Sequence, residues 1–260
     1  SVGLKDRTAS GVMDDKNHET RAAFKELRGQ DSVNSVKAMT ARVRRRMGRW
    51  IRRVAETFGF VLYRKAFQPT GIDLIYDLNR FGAPFDGGII LDVGANIGQT
   101  ALRFAQEFPN ARIHSFEPIP KVFDQLRSSV ATLNNVRCHC LAVGASEGTL
   151  HVWPKAADQL TTLIPSRNRP TAGSDSPIPV RMLTLDRFCE GHGIAAIDLL
   201  KTDTEGFDLE VLRGAERLLR EGSVRLVYSE CGLRLDDTEH TPLTELQRFL
   251  EPLGYDLYGI

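Results

Sequence analysis

The stretch Ile89 to Thr100, IILDVGANIGQT, limits what this chain can fold into more than any other. A continuous apolar run ends in an acid, glycines follow at Gly94 and Gly98, and helix-like periodicity then runs to Phe108. That order predicts a buried strand, a tight turn and a helix start, the junction at which an open α/β sheet binds its ligands. Glycine lets the backbone take positive φ and approach a ligand closely, and the free N–H groups of a helix start favour an anionic group.

The spacing narrows the ligand. A pyrophosphate turn reads G-x-G-x-x-G, whereas this one reads D-x-G-x-x-x-G, with Asp92 where the first glycine would stand. An acid there suits a ligand carrying an ammonium group and a small carboxylate, as S-adenosylmethionine does, better than a pyrophosphate. The alternative is a helix–strand turn that holds no ligand. A second strand, ARIHSFEP, ends at Glu117, about 25 positions after Asp92, where an acid can accept hydrogen bonds from ribose hydroxyls.

From Ile89 the alternation is regular: strands at 89–94, 111–117 and 136–143, helices at 98–108 and 120–133. A strand at 149–153 precedes a segment, 155–179, rich in Pro, Ser, Thr and Arg, which reads as a functional loop or as disordered. Strands then follow at 180–185, 197–200, 224–228 and 255–260, with helices to about Glu190, from about Asp208, and from Pro242 to about Leu250. The fold class expected is α/β, a mostly parallel, doubly wound, Rossmann-like sheet with an N-terminal helical appendage.

The sequence divides into a polar tail (1–35), a basic amphipathic helix with a connector (36–88, including a short helix at 71–79) and the ligand-binding domain (89–260). In the middle part Met39, Val43, Met47, Trp50, Ile51, Val54 and Phe58 recur at helical spacing, with seven arginines between Arg42 and Arg53. Such a helix can lie on an anionic membrane, bind an acidic partner, or pack on its own domain or on a second copy as a homodimer. The net charge of +1 disfavours nucleic acid as a partner. No stretch approaches the roughly 20 apolar residues that span a bilayer. The cysteines at 138, 140, 189 and 231 lack C-x-x-C or zinc spacing, as in a reduced, cytoplasmic protein, here with an option on the inner membrane face. No signal-peptide pattern is visible, and the start at Ser1 leaves room for a segment already removed.

Parallel strands deliver their C-terminal ends to one edge, and there the sequence puts Asp92, Glu117, Asp203, Glu205 and Glu230. Core packing does not explain so many acids. Asp203, Glu205 and Glu230 are the candidate catalytic groups, since a positioned base helps an unactivated hydroxyl to react. Each has a structural alternative: Asp203 on the ligand's methionyl end, Glu205 on the dipole of the following helix, Glu230 paired with Lys201 or an arginine. Oxygen ligands from the three would suit a divalent metal, but nothing specifies one. His192, in GHG, reads as a loop residue, and His240 has no evident place.

These pieces resemble the FkbM-type S-adenosylmethionine-dependent methyltransferases. The resemblance rests on ILDVGANIGQTA (90–101), SFEPIP (115–120), LAVGASEG (141–148), the TTL at 161–163, RMLTLDRF (181–188) and IDLLKTDTEGFDLEVLRGAERLL (197–219). It implies a class I methyltransferase fold, S-adenosylmethionine as donor and S-adenosylhomocysteine as product, and methyl transfer to a hydroxyl of a sugar, glycan or secondary metabolite. By the same resemblance Asp92, Gly94, Ala95, Asn96 and Gly98 line the donor, Glu117 with Pro118 meets the ribose, and Val143 with its neighbours meets the adenine. Thr161 and Thr162 would close over donor or acceptor. Thr202 replaces an apolar residue of the family's KID-x-EG pattern, and the chain stops one strand short of seven. Either the chain continues, or a partner strand completes the edge.

The expectation is therefore an O-methyltransferase. A donor-binding scaffold without turnover, recruited through the basic helix, is the alternative from another class. A dinucleotide oxidoreductase is disfavoured by Asp92.

Overall fold

The computed structural model describes residues 43, 46–60, 73–80, 87–152, 177–234, 237 and 239–257. The chain forms two compact units, Ser1–Pro69 and Thr70–Ile260. The polar tail, most of the 155–179 insertion with Thr161 and Thr162, and residues 258–260 lie outside the described residues.

In the first unit residues 46–57 are helical. The helix stops because Gly59 takes φ 79°, which turns the Phe60 N–H onto Ala55 O at 2.9 Å and the Gly59 N–H onto Glu56 O at 3.0 Å. This glycine cap satisfies carbonyls that the helix would otherwise leave open.

The second unit is built on a five-stranded parallel sheet: β1 (Ile89–Val93), β2 (Arg112–Phe116), β3 (Val136–His139), β7 (Leu199–Thr202) and β8 (Val227–Ser229), in the order β3-β2-β1-β7-β8. This is a doubly wound, Rossmann-like arrangement, with the order reversing beside β1. Every residue of β1 and β7 is buried, because helices cover both faces of a parallel sheet, and the polar residues Asp92, Lys201 and Thr202 are buried with the apolar ones. Period-two alternation sends Leu91 and Val93 to a core with Phe116, Phe188 and Leu200, and Ile90 to a core with Phe104, Ile113 and Leu199.

The helices of this unit are α1 (Leu74–Arg80), α2 (Gln99–Glu107), α3 (Pro120–Ser129), α4 (Leu185–His192), α5 (Asp208–Arg213), α6 (Glu216–Arg220) and α7 (Leu243–Leu250). A second sheet, in the order β4-β6-β5, joins β4 (Ala142–Val143), β5 (Gly148–Val152) and β6 (Ile178–Leu183), with β5 antiparallel to β6.

Four local expectations change. The strand expected at 136–143 divides between the two sheets: the last rung is the Glu117 N–H on His139 O at 3.1 Å, and Pro118, lacking an N–H, cannot extend the ladder. The expected strand 255–260 is not formed at 255–257. A 3₁₀ turn over Glu251–Leu253 and Gly254 at φ 89° bring Tyr255 inward, and its hydroxyl donates to Val224 O at 2.6 Å. His192 is not a loop residue but the last residue of α4, capped by Gly193 at φ 64°. The helix assigned to the connector, α1, buries Ile75 and Leu78 in the core that contains Ile90 and Phe104.

His192 completes a group of rings. His114 Nδ1 and His139 Nε2 share a hydrogen bond of 3.0 Å, and both rings pack against Phe188 and His192. Burial, then the neighbouring imidazoles, push the pKa of His114 and of His139 down from 6.5 to about 4. Each is neutral in the folded chain and protonates on unfolding, so its contribution is present above pH 6.5 and is lost as the pH falls towards 4. Urea titrations should show the unfolding midpoint falling over that window. His114 alone accounts for up to about 3 kcal/mol of it, and His139→Asn should flatten the slope.

Candidate active site

The turn after β1 is tightly determined. Gly94, Asn96 and Gly98 have φ of 76°, 49° and 98°, and the N–H groups of Gly94 and Ala95 both reach Phe116 O, at 3.1 and 3.0 Å. A β-carbon on Gly94 would lie 1.8 Å from the Asp203 carbonyl oxygen, so the turns after β1 and β7 touch backbone to backbone and only glycine fits. Gly98 precedes α2 with no side-chain cap. The first N–H groups of that helix are left for another acceptor.

Below this turn lies a buried charge cluster. Asp92 is fully buried and opposite Lys201 in the β1–β7 register, and Lys201 is 4% exposed. Lys201 Nζ lies 3.1 Å from Asp92 Oδ1 and 3.2 Å from Asp203 Oδ2, and donates to Gly94 O at 3.3 Å. Burial alone would lower the Lys201 pKa, but the Asp92 and Asp203 carboxylates outweigh it and hold the ammonium above its ordinary value. The ion pair is not aligned as a hydrogen bond, and Asp92 Oδ2 has no donor among the described residues. A buried oxygen without a donor marks a place for a polar ligand group. Lys201 stands at the centre of the candidate site, although the sequence suggested it only as a partner for Glu230; its partners are instead Asp92 and Asp203, and the signal was a lysine inside a buried strand, level with Asp92.

Glu117 closes the other side. Its Oε2 accepts the Asn96 N–H at 3.1 Å and its Oε1 the Ile119 N–H at 2.9 Å, so it latches the end of β2 to the glycine turn. Burial raises its pKa, the two N–H groups opposing. Pro118 is half-buried between the latched residues, Ala95 is buried in the turn, and Val143 is buried at the end of β4 against the same core.

The acids after β7 and β8 converge. Asp203, its side chain 43% exposed, bridges Lys201 and Glu230. Glu205 sits in the left-handed region at φ 53°, and burial, with the charge of Asp203, raises its pKa. Glu230 is pushed up to about 7 by burial and by its hydrogen bond and repulsion with Asp203. His240, unplaced in the sequence, completes the group. Its Nε2 lies 3.4 Å from Glu230 Oε1 and its Nδ1 is 2.9 Å from Asp237 Oδ2. Asp237 is held at about 2 by that imidazole and by the His240 and Glu239 N–H groups, and it holds His240 above its ordinary pKa. Glu205, Glu230 and His240 each place one ligand atom within 4.8 Å of the others, so the grouping with metal-binding chemistry has His240 in place of Asp203. All of these groups, with Asp92 and Glu117, stand at the C-terminal edge of the sheet. The residues fit a donor with a cationic amino end and a ribose, set beside a group of acids of which Glu230, at about 7, exchanges its proton near neutrality.

A family model described as the methyltransferase FkbM domain matches residues 92–257. The 2-O-methyltransferase NoeI of Sinorhizobium fredii is 29% identical over 153 residues, covering 55% of this chain and 62% of NoeI. Methyltransferase sdnD of Sordaria araneosa is 29% identical over 230 residues, covering 75% of this chain and 82% of its own. The hexuronic acid methyltransferase AglP of Haloferax volcanii is 26% identical over 156 residues, covering 60% of each. The chain thus spans about three-fifths of the length of NoeI and AglP. Among solved structures, a precorrin-6y C5,15-methyltransferase from Geobacter metallireducens matches 74% of this chain and 77% of its own, at 14% identity and a TM-score of 0.38.

Lys201→Met would leave the Asp92 carboxylate buried without its cation. Removing one partner of a buried pair costs about 3–5 kcal/mol, and chemical denaturation should show a loss of that order. Pairing it with Asp92→Asn should restore most of the stability, which a double-mutant cycle reads directly.

Proposed function

The chain belongs to the FkbM methyltransferase domain family, and on that premise we propose that it is an O-methyltransferase acting on a hydroxyl of a sugar, a glycan or a secondary metabolite. The observation that carries the reading is the shared edge: a glycine turn with an unsatisfied buried acid stands beside a cluster of acids in which Glu230 is pushed up to about 7. The names of NoeI and AglP, a 2-O-methyltransferase and a hexuronic acid methyltransferase, support an oxygen acceptor on a sugar.

S-adenosylmethionine, when bound, supplies a methyl group on a positively charged sulfonium and is left as S-adenosylhomocysteine. Asp92 Oδ2, Gly94, Ala95, Asn96 and Gly98 would hold its amino-acid end, Glu117 and Pro118 its ribose, and Val143 the adenine side. Glu117 already spends one lone pair per oxygen on backbone N–H groups, and a carboxylate has further acceptor sites for two hydroxyls. Asp203, Glu205 and Glu230 serve the acceptor. Glu230, with a pKa of about 7, is poised to take the hydroxyl proton. Burial and then Asp203 set that pKa, and His240, oriented by Asp237, relays the proton to solvent. Base assistance of this kind contributes about 10²–10⁴-fold, and positioning of the two reactants contributes up to about 7–11 kcal/mol.

Titration calorimetry tests the donor site: S-adenosylmethionine and S-adenosylhomocysteine should bind and NAD should not, with Asp92→Ala weakening both by roughly tenfold or more. Unchanged donor affinity in that variant would remove Asp92 from the site. Turnover is read as transfer of labelled methyl to a panel of hydroxylated sugars and uronic acids. The rate should rise with pH through about 7, as Glu230 loses its proton. Glu230→Gln should lower kcat by about 10²-fold, abolish that rise and leave donor affinity unchanged. A variant as active as the native chain, with the same pH profile, would exclude Glu230 as the base.

A further inference from the structure

The first unit carries an exposed amphipathic helix. Along residues 46–60 every side chain but that of Ala55 is exposed, and the exposed set includes Met47 at 56%, Trp50 at 66% and Phe58 at 74%. Taken at about 100° per residue, Val43, Met47, Trp50, Ile51, Val54 and Phe58 fall within an arc of about 100°, the width of a buried helical stripe. Arg46, Arg49, Arg52 and Arg53 fall outside that arc, and Glu56 is the only acid between Val36 and Phe60. The chain as a whole has a net charge of only +1, so the positive charge is concentrated here.

We propose that this helix docks the protein on a bilayer surface carrying anionic headgroups. The apolar arc would enter the boundary between headgroups and acyl chains, and the arginines would face the phosphates. Two features select this partner. A nucleic acid or an acidic peptide would engage the arginines and leave Trp50 and Phe58 in water. A second copy would cover the stripe but set two strongly basic helices side by side, where like charges repel. With arginines at every turn the helix is unsuited to cross the hydrocarbon core, so it lies on the surface. Among the described residues no helix is long and apolar enough to cross a membrane.

The test is co-sedimentation of the full chain with vesicles of phosphatidylcholine alone, and of phosphatidylcholine mixed with phosphatidylglycerol. In a Trp153→Phe background Trp50 is the only tryptophan, so its emission reports the helix directly. The expected result is binding to the mixed vesicles only, weakened by salt and accompanied by a blue shift of Trp50. Replacing Arg46, Arg49, Arg52 and Arg53 with Gln should cost roughly a hundredfold or more in vesicle affinity. Met47→Ser with Trp50→Ser should also abolish binding, with donor affinity and the urea midpoint unchanged as evidence of folding. No binding to the mixed vesicles would overturn the proposal. So would vesicle binding that survives the serine pair, which would indicate a polyanion site on the arginine face alone. A dimer in light scattering that the serine pair dissociates, with no vesicle binding, would assign the stripe to a second copy. None of these outcomes depends on whether the chain transfers methyl groups.

Discussion

The contact on which the rest of the second unit depends is the one between Lys201 and the carboxylates of Asp92 and Asp203. Burying an ammonium and a carboxylate between adjacent central strands is costly, and their attraction offsets that cost only while both are present and well placed. Lys201 also holds Gly94 O, while the Asp203 N–H donates to Val93 O at 3.1 Å. The glycine turn and the acid-bearing turn are therefore pinned to each other through side chain and backbone together. The same closeness explains Gly94, whose missing β-carbon leaves room for the Asp203 carbonyl.

That lock has a consequence for proton chemistry. Asp203 shares Lys201 with Asp92 on one side and meets Glu230 on the other. A carboxylate next to an already charged acid, half withdrawn from water, keeps its proton to a higher pH. Glu230 reaches about 7 for this reason, while Asp237, exposed to donors from its own loop, falls to about 2. Burial beside a charged neighbour for Glu230 and local N–H and imidazole donors for Asp237 thus spread similar carboxylates across the pH scale, which is the arrangement a site needs if one acid is to stay charged and another to exchange protons.

Much of this was legible in the sequence, and the parts that were not share a cause. The parallel strands and the glycine turn follow from local patterns: apolar runs of strand length, glycines at the turn, a proline opening α3. The edge carrying Asp92, Glu117, Asp203, Glu205 and Glu230 followed from topology alone, since parallel strands end on the same side. Three features were out of reach because each depends on contacts between distant segments. Lys201 reads as a surface lysine until its strand is set against β1. His240 and Asp237 lie in an irregular loop, and only tertiary packing brings them to Glu230. The division of 136–143 between two sheets depends on Pro118 in the neighbouring strand, some 20 residues earlier.

The three imidazoles around Phe188 show the same limit from the opposite direction. His114, His139 and His192 are scattered in the sequence and suggest nothing individually, yet their rings meet around Phe188, His114 buried, His139 half-buried and His192 at the exposed rim. There they behave as aromatic packing groups, with burial holding His114 and His139 neutral. His240, by contrast, is partly exposed and held by a charged carboxylate, and its pKa moves up rather than down. One residue type is shifted in opposite directions by the same chain, according to whether its neighbours are rings or acids. Chemical role therefore follows the partners that the sheet assembles, and the sheet edge, where water still reaches the acids, is where those partners let a histidine titrate.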